Sequence, residues 1–289
     1  MLHIPEKIAS GEIIPVVAVS GGKDSTAVCL ALRDEGIEHR RVFADTGWEH
    51  WTTYEHLDML REKLGPIDVV GVNGGFVSRM RYRAGFASRM ARWCTRELKI
   101  EPLLKYHNEI RDNEGDTVSV VGIRAAESPR RAEMKEFEDD DGWGGYVWRP
   151  ILHWPVEAVL AIHHRHGVPV HPLYKAGMSR VGCWPCIFSR KAEIRRIAEL
   201  DPERIDLIRN LENELTELRA QRNREKPGRY AHATATFFQS IDRKTTNNID
   251  QVVAWSKTKR GGKEVELLAP PPLEGCYRWG MCEAPVPEE

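Results

Sequence analysis

The chain has no run of about eighteen apolar residues, and its start lacks the basic-then-apolar pattern of a secretory leader. Nothing in it is therefore expected to cross a membrane, and a cytoplasmic protein is predicted. Net charge is nearly absent too: 42 Lys and Arg against 43 Asp and Glu leave −1. An anionic partner would have to be met by a local patch instead of by the molecule as a whole. No internal repeat is visible, which sets aside solenoid and propeller architectures. Cysteine is scarce at six in 289 residues. In a cytosolic chain these are read as thiols, ligands or nucleophiles before disulfides.

What is present is concentrated in a short loop. The apolar run Ile13–Val19 gives way to Ser20-Gly21-Gly22-Lys23-Asp24-Ser25, and the helical pattern Thr26–Leu32 follows. Two glycines let the backbone turn sharply and bring N–H groups against an anion, while the helix that opens at Ser25 and Thr26 points its positive end the same way. Lys23 adds a point charge, and Asp24 is a candidate for a Mg2+ or hydroxyl contact. Both side chains are expected on the surface. The spacing fits neither a Walker A loop nor the Rossmann Gly-x-Gly-x-x-Gly; it resembles the PP-loop of the ATP pyrophosphatases.

Along the chain, strands are predicted at 13–19, 39–44, 67–72 and 117–122, with helices at 52–64, 95–110 and 155–166. This alternation argues for an α/β fold with a parallel, doubly wound sheet. Ligands of such sheets collect at the carboxyl ends of the strands, where the loop, Asp45-Thr46-Gly47 and Gly122-Ile123-Arg124 all fall. From Ser189 the pattern becomes charged and helical, suggesting an amphipathic pair over 193–222 that packs on the core. Two regions are expected: a nucleotide-binding α/β domain over 1–178, and a Cys-x-x-Cys segment with helical appendage and tail over 179–289. Arg79, Arg81, Arg83, Arg89, Arg92, Arg96 and Lys99 face only Glu97 in sequence, so a phosphate-bearing partner is plausible there.

Cys183-Trp184-Pro185-Cys186 is the strongest metal signal. A Cys-x-x-Cys turn brings two thiolates to one centre; a [4Fe–4S] cluster needs four sulfurs, with Cys94, Cys276 and Cys282 as candidates to complete it. A structural Zn2+ site would use the same sulfurs, and a redox dithiol would need only Cys183 and Cys186. Cys29 lies on the apolar face of the loop helix and reads as a small buried hydrophobe.

The blocks Ser20–Ser25, Phe43–His50, Trp93–Pro102, Gly122–Arg130, Pro150–Trp154 and Arg180–Cys186 follow one another as they do in the phosphoadenosine phosphosulfate reductase family. That is a PP-loop, adenine nucleotide α-hydrolase-like group, and the resemblance runs from Ile13 to Glu199. Two features depart from the reductases of that family. This chain has a single Cys94 where cluster-bearing reductases have an adjacent pair, and Glu274-Gly275-Cys276-Tyr277 where they carry Glu-Cys-Gly-hydrophobic-His. The cysteine pattern is most similar to the DndC-type proteins of DNA phosphorothioation.

The resemblance implies an enzyme in which Ser20, Gly21, Gly22, Lys23, Asp24 and Ser25 hold the pyrophosphate of Mg2+-ATP. Asp45, Thr46, Gly47, Gly122 and Arg124 complete the nucleotide site. Lys23, Arg124 and Arg130 would neutralise charge on the departing pyrophosphate and Asp24 and Asp45 would make magnesium or ribose contacts, with Cys276 as a sulfur-carrying thiol and Cys94, Cys183, Cys186 and Cys282 as cluster ligands. The acceptor would be a nucleic acid, DNA or tRNA, and the sulfur would come from a donor such as a cysteine desulfurase. Sulfonucleotide reduction and a catalytically silent nucleotide-binding regulatory subunit are the rival readings.

Overall fold

The computed structural model describes residues 2–139, 145–228, 234–238 and 246–259. Six strands form one sheet: β1 Ile14–Ala18, β2 Arg40–Asp45, β3 Asp68–Gly71, β4 Thr117–Val120, β5 Phe137–Glu138 and β6 Tyr146–Trp148. Their order is β3-β2-β1-β4-β6-β5, parallel throughout except for the antiparallel β5–β6 pair. The central strand β1 pairs Val16 with Arg40 of β2 and Val17 with Val120 of β4.

β1 reads as continuous apolar sequence because both its faces are covered. Val17 and Val19 enter a core shared with the helices Lys23–Asp34 and Val156–Arg165. Val16 faces the other way, with Val42, onto Tyr106 and Ile110 of the helix Glu101–Asn113. The chain reversals at the carboxyl ends of β1, β2 and β4 consequently share one edge of the molecule.

A second core is built around Trp48, Phe76, Met80, Trp184, Ile194, Ile197, Ile208, Leu211 and Leu215. Its helices, Lys191–Leu200 and Pro202–Glu225, are the amphipathic pair expected from sequence. This core straddles position 178, since it draws on residues from both sides of that boundary.

Three differences from the sequence reading have physical causes. The helix expected over 95–110 is divided into a short turn Trp93–Thr95, a π-helix Arg96–Ile100 and the helix Glu101–Asn113. A π-turn's wider spacing is invisible to a 3.6-residue period. The hairpin β5–β6 was not foreseen, because Phe137–Glu138 and Tyr146–Trp148 are too short to show alternation. The loop helix begins at Lys23, not at Ser25.

Candidate nucleotide loop and thiol site

Gly21 takes φ +73°, a left-handed conformation that turns the chain between β1 and the helix Lys23–Asp34. Ser25 closes the turn: its hydroxyl accepts from the Ser20 amide at 3.1 Å, meets the Ser20 hydroxyl at 3.2 Å and donates to the Gly22 carbonyl at 3.1 Å. Thr26 Oγ1 donates to the same carbonyl at 3.1 Å. The two hydroxyls are thus used to hold the loop, and the Gly22 and Lys23 amides donate to Ser20 Oγ at 3.3 Å and the Tyr174 hydroxyl at 3.4 Å.

Lys23 and Asp24 are not surface side chains. Lys23 heads the helix and is only 5% exposed. Its ammonium lies 2.7 Å from Asp24 Oδ2 and 5.4 Å from the centre of the Tyr174 ring. Arg124 Nε, 100 residues away in sequence, donates to Asp24 Oδ1 at 2.6 Å. Asp24 therefore engages one cation with each oxygen and anchors both Lys23 and Arg124. Burial lowers the Lys23 pKa, opposed by the Asp24 charge beside it. Gly122 makes this arrangement possible: a Cβ there would stand 2.7 Å from the Asp24 carbonyl carbon and 2.8 Å from the Ser25 nitrogen. Arg130 lies exposed in the short helix Pro129–Ala132.

At the end of β2, Asp45 Oδ1 accepts from the Gly47 amide at 2.8 Å and from the Tyr54 hydroxyl at 2.9 Å. Thr46 is buried, and its hydroxyl donates at 2.8 Å to Glu49. The buried Glu49 carboxylate also accepts from the Thr46 and Trp48 amides at 3.3 and 3.1 Å. This knot receives the Cys-x-x-Cys turn. Glu49 and Cys183 form an isolated antiparallel bridge, the Trp184 amide donates to the Trp48 carbonyl at 2.8 Å, and the Trp48 indole donates to the Pro185 carbonyl at 3.1 Å. Thr46 Oγ1 then sits 4.0 Å from Cys183 Sγ.

Cys94, Cys183 and Cys186 are half-buried free thiols packed against the second core. Burial raises the Cys94 and Cys183 pKa values, and each is raised further by the charge of the neighbouring thiols. Lys99, carried by the π-helix, opposes this at Cys183, and its own pKa is raised chiefly by Cys183. Three sulfurs with an ammonium among them have the donor chemistry of a thiolate-ligated centre, whose surplus negative charge a cation offsets. Among the described residues, however, no three His, Cys, Asp or Glu side chains are gathered closely enough to hold a metal ion. Cys276 and Cys282 lie outside the described residues. Cys29 is 1% exposed and its thiol is pushed up to about 12 by burial, as a structural hydrophobe should be.

The arginine-rich stretch divides. Arg79 and Arg83 converge on the buried Glu97 carboxylate, Arg79 at 2.9 Å, with Arg96 3.7 Å away. Arg81 forms a two-pronged pair with Glu214 at 2.6 and 3.0 Å. Arg89 and Arg92 instead lie over the Phe188 ring, 5.7 and 5.1 Å from its centre; Arg92 stands two residues before Cys94 and Phe188 two residues after Cys186 in sequence. The uniform patch read from sequence is mostly internal ion pairing.

Sequence reasoning gave no role to Glu49 or Tyr174 and read Lys99 only as part of the basic stretch, although all three shape the site. Glu49 and Lys99 stand in the blocks quoted above, and their placement beside a thiol is the work of the second core. Tyr174 had no signal: it reaches the Lys23 amide, at 3.4 Å, across 151 residues.

The phosphoadenosine phosphosulfate reductase domain model matches residues 14–189. An uncharacterized 37.8 kDa protein of Escherichia phage 186 is 31% identical, over 89% of this chain and 92% of its own length. The adenosine 5'-phosphosulfate reductase of Allochromatium vinosum is 30% identical, over 59% of this chain and 67% of its own. Among solved structures, a phosphoadenylyl-sulfate reductase from Candida auris in complex with phosphate matches at TM-score 0.47 and 17% identity, covering 60% of this chain and 81% of that one. With more than half of its length matched by the family model, the chain belongs to the phosphoadenosine phosphosulfate reductase family.

Proposed function

We propose that this protein is an ATP-dependent PP-loop enzyme that adenylates an oxygen of an acceptor so that sulfur can replace it. The observation that carries the reading is the lock at the head of the loop helix, where Asp24 holds Lys23 and Arg124 at 2.7 and 2.6 Å against the anion-facing turn. Donors fixed in advance where charge develops are the largest usual source of rate in phosphoryl and nucleotidyl transfer. In the reaction proposed, Ser20–Ser25 bind the β- and γ-phosphates with Mg2+ and leave the α-phosphorus open. An acceptor oxygen attacks it, the α–β phosphoanhydride bond breaks, and pyrophosphate leaves with its charge facing Lys23 and Arg124. The outer sulfur of a persulfide, charged by a donor such as a cysteine desulfurase, then displaces AMP, and a second thiol from an external thiol reductant breaks the resulting S–S bond, releasing the thiolated product and leaving the carrier sulfur in a disulfide.

Cys94, Cys183 and Cys186, with Cys282 from the tail, would ligate a [4Fe–4S] cluster that handles the sulfur, or else Zn2+ as a structural staple. Cys276 would be left as the carrier thiol. A nucleic acid, DNA or tRNA, is the acceptor favoured by the paired guanidiniums of Arg89 and Arg92 over Phe188, close in sequence to Cys94 and Cys186. A second reading, sulfonucleotide reduction, draws on the name of the Allochromatium vinosum relative.

The test is pyrophosphate release from Mg2+-ATP by the full chain with candidate nucleic acids. Lys23→Ala should lower it at least tenfold, since a donor aimed at developing charge is commonly worth more than ~2 kcal/mol. Unchanged turnover in that variant would remove the loop from the mechanism. Thiosulfonate formation on the tail with a labelled sulfonucleotide, and no pyrophosphate release, would establish the reductase instead.

A further inference from the structure

His163 stands in the helix Val156–Arg165, is 3% exposed, and belongs to none of the motifs considered above. Its Nδ1 lies 2.9 Å from the Val168 carbonyl oxygen and its Nε2 2.8 Å from the carbonyl oxygen of Lys23, the first residue of the loop helix. A carbonyl oxygen only accepts, so each contact requires an N–H on the ring. A neutral imidazole carries one N–H; an imidazolium carries two. In the neutral form a ring lone pair would face one of these oxygens at hydrogen-bond distance in a buried place, which is unfavourable.

The groups that face the ring pull in opposite directions. From the loop helix, the Asp24 carboxylate favours the imidazolium and the Lys23 ammonium disfavours it; His56, from the helix Trp51–Leu64, is in electrostatic contact with it and adds no negative charge. Burial is the strongest of these influences and holds the ring's pKa below the ordinary histidine value without nucleotide, against both carbonyls, which favour the cation. A polyphosphate placed in the loop would offset the positive charge of Lys23 and shift this balance toward the imidazolium.

We propose that His163 is a proton-linked positioning residue of the nucleotide loop: a polyphosphate entering the loop is accompanied by uptake of a proton on this ring, and the imidazolium so formed ties the Lys23 peptide to Val168 through both nitrogens. The inference rests on reading Ser20–Ser25 as a polyphosphate site. It gives the loop a buried brace on the side away from its anion-facing turn, and it makes nucleotide affinity fall as pH rises.

The experiment is calorimetric titration of the full chain with a non-hydrolysable ATP analogue and Mg2+, in two buffers of different ionisation enthalpy. Wild type should take up as much as one proton per nucleotide. Its affinity should weaken by up to about tenfold per pH unit between the ring's free and bound pKa values. His163→Gln, which can donate to a carbonyl but cannot titrate, should bind with no uptake at that position and a flatter pH profile. Nitrogen chemical shifts of the ring in the wild-type complex give a readout that does not depend on the variant's folding. Two protonated nitrogens support the proposal and one bare nitrogen overturns it. Tight binding without proton uptake overturns it while leaving the loop reading intact, and uptake that persists in His163→Gln assigns the proton elsewhere. If wild type does not bind the analogue, both readings fall together.

Discussion

Gly122→Ala tests the loop at its least forgiving contact. The added methyl carbon would lie 2.7 Å from the Asp24 carbonyl carbon, 2.8 Å from its oxygen and 2.8 Å from the Ser25 nitrogen. All three are backbone atoms of the first helical turn, so no side chain can swing aside; β4 or the helix start must move. Ordinary van der Waals contact begins near 3.4 Å, so the required shift is roughly 0.7 Å, and overpacking of this kind costs about 1–3 kcal/mol. A loss of about 2 kcal/mol would lower Tm by roughly 5 °C in a protein of this size. The larger effect should be on chemistry. The displaced residues carry the Asp24 lock, and a misplacement approaching 1 Å can cost on the order of a hundredfold in rate. The assay is pyrophosphate release and nucleotide affinity beside a thermal melt, with Ile67→Val as the comparison. That substitution trims a buried residue before β3, 5% exposed, for about 0.5–1.5 kcal/mol without touching the loop. Gly122→Ala should lose far more activity than its stability loss accounts for. Activity that falls only in step with Tm in both variants would refute the reasoning.

Asp24→Asn should be more damaging than its size suggests, because it leaves Lys23 and Arg124 as buried cations without their shared counter-charge; a loss of about 3–5 kcal/mol in a urea melt is expected. Retention of wild-type stability would show that solvent reaches those cations. Cys94→Ser, Cys183→Ser, Cys186→Ser and Cys282→Ser should each remove iron and the visible absorption of anaerobically prepared protein, while Cys29→Ser and Cys276→Ser keep them. One equivalent of zinc with no iron would overturn the cluster. Stability should also fall with acid. Burial holds His56 and His107 at about 4 and His171 at about 3. The unfolded chain therefore takes up more protons below its own value near 6.5, and the stabilisation present above that pH is lost as pH falls toward 4. Each ring contributes about 1.4 kcal/mol per pH unit in that window, checked by urea midpoints at several pH values between 7 and 4.5. A flat profile would mean that these rings are not buried neutral.

The sequence by itself determined the four parallel strands β1 to β4 and the edge of the sheet at which their loops meet. Ile13–Val19 running into two glycines and a helical pattern can only be a strand, a turn and a helix, and the alternation that follows forces parallel pairing. Local chemistry also sufficed for Cys29, whose spacing put it on the apolar face, and for the amphipathic pair beyond Ser189. Tertiary structure alone decided which charges are available. Lys23, expected at the surface, is buried because Asp24, Tyr174 and Arg124 close over it from positions up to 151 residues away. Most of the arginine patch vanished for the same reason, since one buried glutamate and one distant one bind what a linear count leaves unopposed. Sequence periodicity records which face of an element is apolar; it does not record which polar group from another element will meet it. The Lys99 ammonium beside Cys183, the Thr46–Glu49 knot beneath the Cys-x-x-Cys turn and the two carbonyls around His163 each join segments brought together only by packing of the two cores.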